Sequence, residues 1–250
     1  MKIVFAGETH SGRARSDNED AIGWSPERGL YLVADGMGGH ASGEVASGIV
    51  RDTLLADSGS VDLETSVCNA HRAIVSAAGC DSALNGMGST LVAVRITGAV
   101  ARVVWVGDSR AYLWRKGSLR RVTRDHSFIE LLRERDGITE AELRNHPNRN
   151  IVTQTLGLGD PKPSAVNVGL RRRDVLLLCS DGLNDELTDD EIAGVLREER
   201  SPETAASRLI ACALDHGGRD NVSVVVISYD GEDSGTLQRI GQWLKGKRSG

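Results

Sequence analysis

Four aspartates in this chain stand where an apolar run stops, each beside glycine or asparagine: Val33-Ala34-Asp35-Gly36, Trp105-Val106-Gly107-Asp108, Cys179-Ser180-Asp181-Gly182 and Asp220-Asn221-Val222. Short apolar runs bounded by such residues read as strands, so the fold must place carboxylates at several strand ends. Buried carboxylates raise one another's pKa, and several held together without a cation cost on the order of several kcal/mol. A divalent cation removes that conflict. All-oxygen ligation suits Mg²⁺ or Mn²⁺ better than zinc, which takes histidine or cysteine. One Asp-Gly pair is most often a turn; four at strand ends point to a metal site.

Asp35 is the most informative of the four. The run Leu30 to Ala34 delivers it into Gly36-Met37-Gly38-Gly39-His40. Glycine costs backbone entropy, and so many together suit a ligand lying close to the main chain better than an ordinary turn.

Around these points the chain alternates in type. Ile3 to Ala6 and Ile22 to Trp24 read as strands, with acidic Asp17, Glu19 and Asp20 in the loop between them. Glu44 to Leu55 and Leu63 to Ala78 read as two successive helices. Ser89 to Ile96, Ala101 to Val106 and Ala111 to Trp114 read as a three-stranded antiparallel meander, because their connections are too short for crossovers. From Asp125 to Asn150 the chain is polar and helical, with a capping box at Thr139 to Glu142. Val175 to Cys179 is a strand leading to Ser180-Asp181-Gly182-Leu183-Asn184-Asp185. Thr188 caps a helix, Ser201-Pro202 starts another, and Val222 to Tyr229 is the last strand. Together these give a mixed α and β chain with antiparallel sheet and helices packed on it; the pattern does not fix the strand order.

Composition narrows the function classes. The 250 residues carry a net charge of −5, which fits one domain and argues against nucleic acid as the main partner. The four cysteines, Cys68, Cys80, Cys179 and Cys212, form no Cys-x-x-Cys pair and read as reduced thiols. The N-terminal apolar run is too short for a signal peptide and no segment approaches a membrane span, so a cytoplasmic location is expected.

A pair of ions can hold a bridging water as hydroxide at neutral pH, a ready nucleophile for an anionic, oxygen-rich substrate such as a phosphoryl group. Arg13 and Arg15, just ahead of Glu19 and Asp20, are candidates for a phosphate fork. A Walker-type loop, a Cys-x5-Arg signature and a Gly-x-Ser-x-Gly elbow are all absent from the sequence.

Arg15-Ser-Asp-Asn-Glu19-Asp20, Asp35-Gly36-Met37-Gly38-Gly39-His40, Gly88-Ser89-Thr90, Gly107-Asp108-Ser109-Arg110, Asn150 to Gly157, Ser180-Asp181-Gly182-Leu183 and Asp220-Asn221 occur in one order. In that order the chain resembles the bacterial type 2C metal-dependent serine/threonine protein phosphatases, the PPM family, over residues 1–229. The resemblance implies an α+β, four-layer αββα sandwich, two antiparallel sheets between pairs of helices. It implies Asp35 as the bridging ligand of two Mn²⁺ or Mg²⁺ ions, with Asp181 and Asp220 completing the first. The Gly36 carbonyl and water-linked Glu19 and Asp20 serve the second, and Asp108 shares a third, weaker ion with Asp181. Arg15 matches the phosphate-binding arginine. The implied reaction is direct attack of hydroxide on a phosphoserine or phosphothreonine monoester.

The chain departs from the eukaryotic pattern at Met37, where those relatives carry a histidine proposed as general acid; His40 is the nearest alternative. Residues 126–150 match the family's flap, and residues 230–250 form a basic tail with apolar positions at helical spacing. The expected partners are phosphorylated proteins and a cognate serine/threonine kinase, acted on by a monomer. The alternative is a catalytically silent phosphatase-like domain that binds phosphoproteins or acts as a regulatory scaffold.

Overall fold

The computed structural model describes residues 2–38, 42–136, 148 and 151–231. The alternation of side chains along its strands accounts for the layering. In β5 (Leu91–Thr97) Leu91 and Ala93 face one way and Val92 and Val94 the other. In β11 (Val222–Asp230) Val225, Ile227 and Tyr229 oppose Val222, Val224 and Val226. Strands apolar on both faces must be covered on both, and three apolar layers result. The central layer joins the inner faces of two sheets through Tyr31, Val33, Val92, Leu113, Leu176 and Ile227.

One sheet runs β1 (Lys2–His10), β11, β10 (Asp174–Cys179), β7 (Arg110–Arg115), β8 (Ser118–Arg121). The other runs β2 (Asp20–Ser25), β3 (Leu30–Met37), β5, β6 (Val100–Val106), β9 (Ser164–Gly169), with β4 (Gly88–Ser89) paired to the end of β3. Every pairing is antiparallel. Helices α1 (Ser42–Ala56) and α2 (Leu63–Cys80) cover the second sheet through Val50, Leu54, Val67 and Ile74. On the first sheet lie α4 (Asp181–Glu186), α5 (Asp189–Glu198) and α6 (Pro202–Asp215), through Leu183, Ile192, Leu196, Leu209 and Ile210. The remaining helix, α3 (Phe128–Asp136), follows β8. This is the αββα sandwich that the sequence implied.

Local signals hold where they are strong. Thr188 and Glu191 form a reciprocal capping box on α5, and Ser201 caps α6 with Pro202 in its first turn. Two expectations are corrected. The meander from Ser89 to Trp114 is split: β5 and β6 pair, but β7 belongs to the opposite sheet, and Gly107 to Ser109 carry the chain across. Gly36 and Met37 are not loop residues but continue β3, because Gly88 and Ser89 supply a partner. After β10, Asp181 opens α4. The capping box at Thr139–Glu142, the residue His40 and the tail beyond 231 lie outside the described residues.

Candidate active site

Strand parity places the first two acids. Tyr31 and Val33 point between the sheets, and the same alternation carries Asp35 to that side at the strand's end. Asp20 is its direct neighbour on β2, in register opposite Asp35. Asp108 sits at the crossing between sheets, Asp181 at the start of α4 after β10, and Asp220 just before β11. Five carboxylates from five segments thus meet at one end of the sandwich.

Close backbone approach makes this possible. A Cβ on Gly36 would stand 2.0 Å from the Gly43 carbonyl, and one on Gly182 2.0 Å from the Asn221 carbonyl. Gly107, at φ +100°, presses on Thr90, whose Cβ would lie 2.6 Å from an added methyl. The glycines beside the acids therefore act by packing loop against loop.

Hydroxyls and one amide then fix the acid-bearing segments. Thr90 N–H donates to the Asp35 carbonyl at 2.8 Å, Ser89 Oγ donates to the same carbonyl at 3.0 Å, and the hydroxyls of Thr90 and Ser109 lie 2.7 Å apart. Ser180 Oγ donates to Asp20 Oδ2 at 2.7 Å. Asn221 accepts from Glu19 N–H at 2.8 Å and donates to the Ser11 and Asp17 carbonyls, holding the Arg13 to Asp20 loop. Sequence reasoning quoted Ser89, Thr90, Ser180 and Asn221 within motifs but gave them no role. Their signal was position, each being a small polar residue within two places of an acid in sequence or across a strand pair.

The electrostatics show the strain expected of carboxylates short of cations. Burial pushes the Asp35 carboxyl well above the usual range, with Asp20, Asp181, Asp108 and Asp220 adding to it. Burial does the same to Asp181, followed by Asp108, Asp185, Asp220 and Asp20. Asp108 is pushed up to about 7, by burial and then by Asp125. Asp20 rises to about 6, chiefly through burial, although the Ser223 and Ser180 hydroxyls oppose the shift. Burial also raises Glu19, against the nearby Arg15 charge. Asp20 Oδ1 is buried with no hydrogen-bond partner.

Among the described residues no three Asp, Glu, His or Cys side chains are already closed into a grip on an ion. Arg15 Nη2 donates to Asp220 Oδ2 at 2.9 Å, so the arginine expected to hold phosphate draws one carboxylate toward itself. The donor set nonetheless fits a hard divalent cation: all oxygen, mutually repelling, and with one buried oxygen lacking a partner. The structure brings Asp35, Asp20, Glu19, Asp108, Asp181, Asp220 and Arg15 together as the sequence suggested. Arg13, the other fork candidate, pairs instead with Asp215 at 3.3 Å on the exposed surface.

The serine/threonine protein phosphatase PstP of Mycobacterium tuberculosis is 38% identical over 249 residues, covering 96% of this chain and 48% of that protein. The chain thus spans about half the length of that relative. Serine/threonine phosphatase stp of Listeria welshimeri is 35% identical over 88% of this chain and 93% of its own. A solved catalytic domain of PstP in complex with two manganese ions superposes with a TM-score of 0.81 at 35% identity, over 90% of this chain and 97% of that one. The protein phosphatase 2C family profile matches residues 7–222, the span from β1 to the start of β11 that contains all seven site residues. With the family match over most of the chain and a relative 38% identical across 96% of it, the chain belongs to the protein phosphatase 2C family.

Proposed function

We propose that this domain hydrolyses phosphoserine and phosphothreonine in proteins, opposing a serine/threonine kinase, with Mn²⁺ or Mg²⁺ as cofactor. The observation that carries the reading is the convergence of Asp35, Asp20, Asp108 and Asp181, each raised by burial and by its neighbours, with Arg15 at the rim. Family membership and the two manganese ions in the PstP catalytic domain support it.

In this reading Asp35, with Asp181 and Asp220, holds one cation, and the Gly36 carbonyl with Glu19 and Asp20 serves a second. Asp108 shares a third with Asp181. Divalent cations in such a site activate water at neutral pH and neutralise phosphoryl charge. The chain's own contribution is placement. Arg15 releases Asp220 and turns its fork to two phosphate oxygens, orienting the phosphorus toward the acid cluster. Asp220 and Arg15 are partners at 2.9 Å, so if Asp220 held a cation, Arg15 would be left to bind substrate phosphate. Ser89 and Thr90 hold the Asp35 backbone still while its carboxylate changes partners. The leaving serine or threonine oxygen needs a proton, and Met37 supplies none.

The test is release of phosphate from a phosphothreonine peptide with and without Mn²⁺, wild type against Asp35→Asn. Turnover that needs Mn²⁺ and disappears in the variant is the expected result. Equal rates would overturn the mechanism, and peptide binding without turnover would favour the silent-domain alternative.

A further inference from the structure

The Gly107 to Arg110 turn, which carries Asp108, is held by residues that the reaction itself does not use. Two stretches, 125–128 and 151–153, form a narrow neck between β8 and β9. In it Ser127 bridges Val152, Phe128 N–H donates to the Ile151 carbonyl at 2.8 Å, and Thr153 N–H donates to the His126 carbonyl at 2.7 Å. His126 binds the neck to the turn on both edges of Gly107. Its backbone N–H donates to the Gly107 carbonyl at 2.8 Å, and its Nδ1 accepts from Gly107 N–H at 3.2 Å. An acceptor Nδ1 leaves the proton on Nε2, which donates to Ser164 Oγ at 2.9 Å. The ring also stacks on Trp105, centroids 6.1 Å apart.

Asp125 makes the second tie. Its carboxylate accepts from Arg110 Nε at 3.1 Å and from Nη2 at 2.7 Å, a bidentate pair in which Asp125 is almost fully buried. Arg110 Nη1 continues to the Tyr112 hydroxyl, and Tyr112 to Asp189 at the start of α5. Gly107, next to Asp108, and Arg110, two residues on at the start of β7, are thus anchored to consecutive neck residues, His126 and Asp125. The turn is pressed on its other side against Thr90.

We propose that His126 and Asp125 are positioning residues that fix Asp108 for a divalent cation, so that the neck, rather than the acid-bearing strands alone, sets the affinity of that ion. This rests on the reading of Asp108 as a ligand. It assigns the neck a task separate from the chemistry at Asp35, because neither residue touches Asp35, Arg15 or Asp220 in any hydrogen bond among the described residues.

The experiment is Mn²⁺ titration calorimetry on wild type, Asp108→Asn, His126→Phe and the double variant, with thermal unfolding to confirm folding. His126→Phe keeps a ring on Trp105 and removes both side-chain hydrogen bonds. It is expected to weaken the weakest Mn²⁺ site about tenfold, the scale of lost support around a ligand. Half-saturating Mn²⁺ for turnover should rise by a similar factor, while kcat at saturating Mn²⁺ stays within about twofold. In the Asp108→Asn background the same substitution should change Mn²⁺ affinity no further. His126→Gln, whose side-chain oxygen can accept from Gly107 N–H, should recover part of the loss, and Asp125→Asn provides an independent second variant. Unchanged Mn²⁺ affinity in folded His126→Phe, or an equal loss with and without Asp108, would overturn the proposal. Wild-type Mn²⁺ binding by Asp108→Asn would show instead that the ligand reading of Asp108 fails, and the proposal with it.

Discussion

Two groups of buried acids lie within a few residues of each other and are treated in opposite ways. At the root of α3, Asp125 and Glu130 are enclosed by arginines: Arg110 and Arg121 on the first, Arg121, Arg124 and Arg133 on the second. At the sandwich end, Asp35 and Asp181 sit among Asp20, Asp108 and Asp220, Asp108 lies beside Asp125 with Arg110 opposing, and Arg15 hydrogen-bonds Asp220. The first group has its cations built into the chain and is structural. In the second, burial and neighbouring acids raise Asp20, Asp35, Asp108 and Asp181 above the usual carboxylate range. What separates the two groups is the counter-charge the fold supplies: arginines on Asp125 and Glu130, and mainly other acids around Asp35 and Asp181.

The contrast should break most visibly at Asp35. Asp35→Asn is expected to lower Mn²⁺-dependent turnover of phosphopeptide by at least ~10²-fold, the scale of losing one preorganised electrostatic group, while raising the thermal stability of the metal-free domain. Arg110→Gln tests the other side. It leaves Asp125 buried without its bidentate partner and should cost about 3 kcal/mol in a urea titration, whether or not metal is present. A loss that Mn²⁺ fully reverses would mean that the two groups are not distinct. Arg15→Ala lies between them. It should raise KM for an aryl phosphate roughly tenfold, with a smaller change in kcat, as a lost charge-assisted hydrogen bond to substrate would.

The acids were legible in the sequence because a carboxylate ending an apolar run beside glycine conflicts with its surroundings unless something binds it. Asp35, Asp108, Asp181 and Asp220 all show that conflict locally. What the sequence did not contain was the sheet to which each strand belongs. Alternation marks β6 and β7 as strands, but a hairpin and a jump between sheets use the same short glycine turn, and only packing against Thr90 distinguishes them. Strands β8 and β9 were missed because Ser118–Arg121 and Ser164–Gly169 are short, polar edge segments with little apolar pattern. Arg15 was chosen for its charge, its place ahead of Glu19 and Asp20, and the family resemblance; its pairing with Asp220, 205 residues away, depends on β1 and β11 lying side by side.

The central claim is that the acid cluster is a cation site whose own charges oppose folding. Its direct test is thermal unfolding of the metal-free domain at about pH 5 and about pH 7.5, with and without Mn²⁺. Asp20 and Asp108 titrate near 6 and 7 when folded, above their unfolded values, so the folded state binds more protons than the unfolded state across that interval. Their contribution to stability is present at low pH and is lost as pH rises through the folded values. His126, whose pKa is lowered by burial, works the other way, but as one group against several acids. The metal-free domain should therefore melt several degrees lower at about pH 7.5 than at about pH 5, and Mn²⁺ should raise the midpoint far more at the higher pH. A metal-free midpoint that rises from pH 5 to 7.5, together with no Mn²⁺ shift at either pH, would contradict the account.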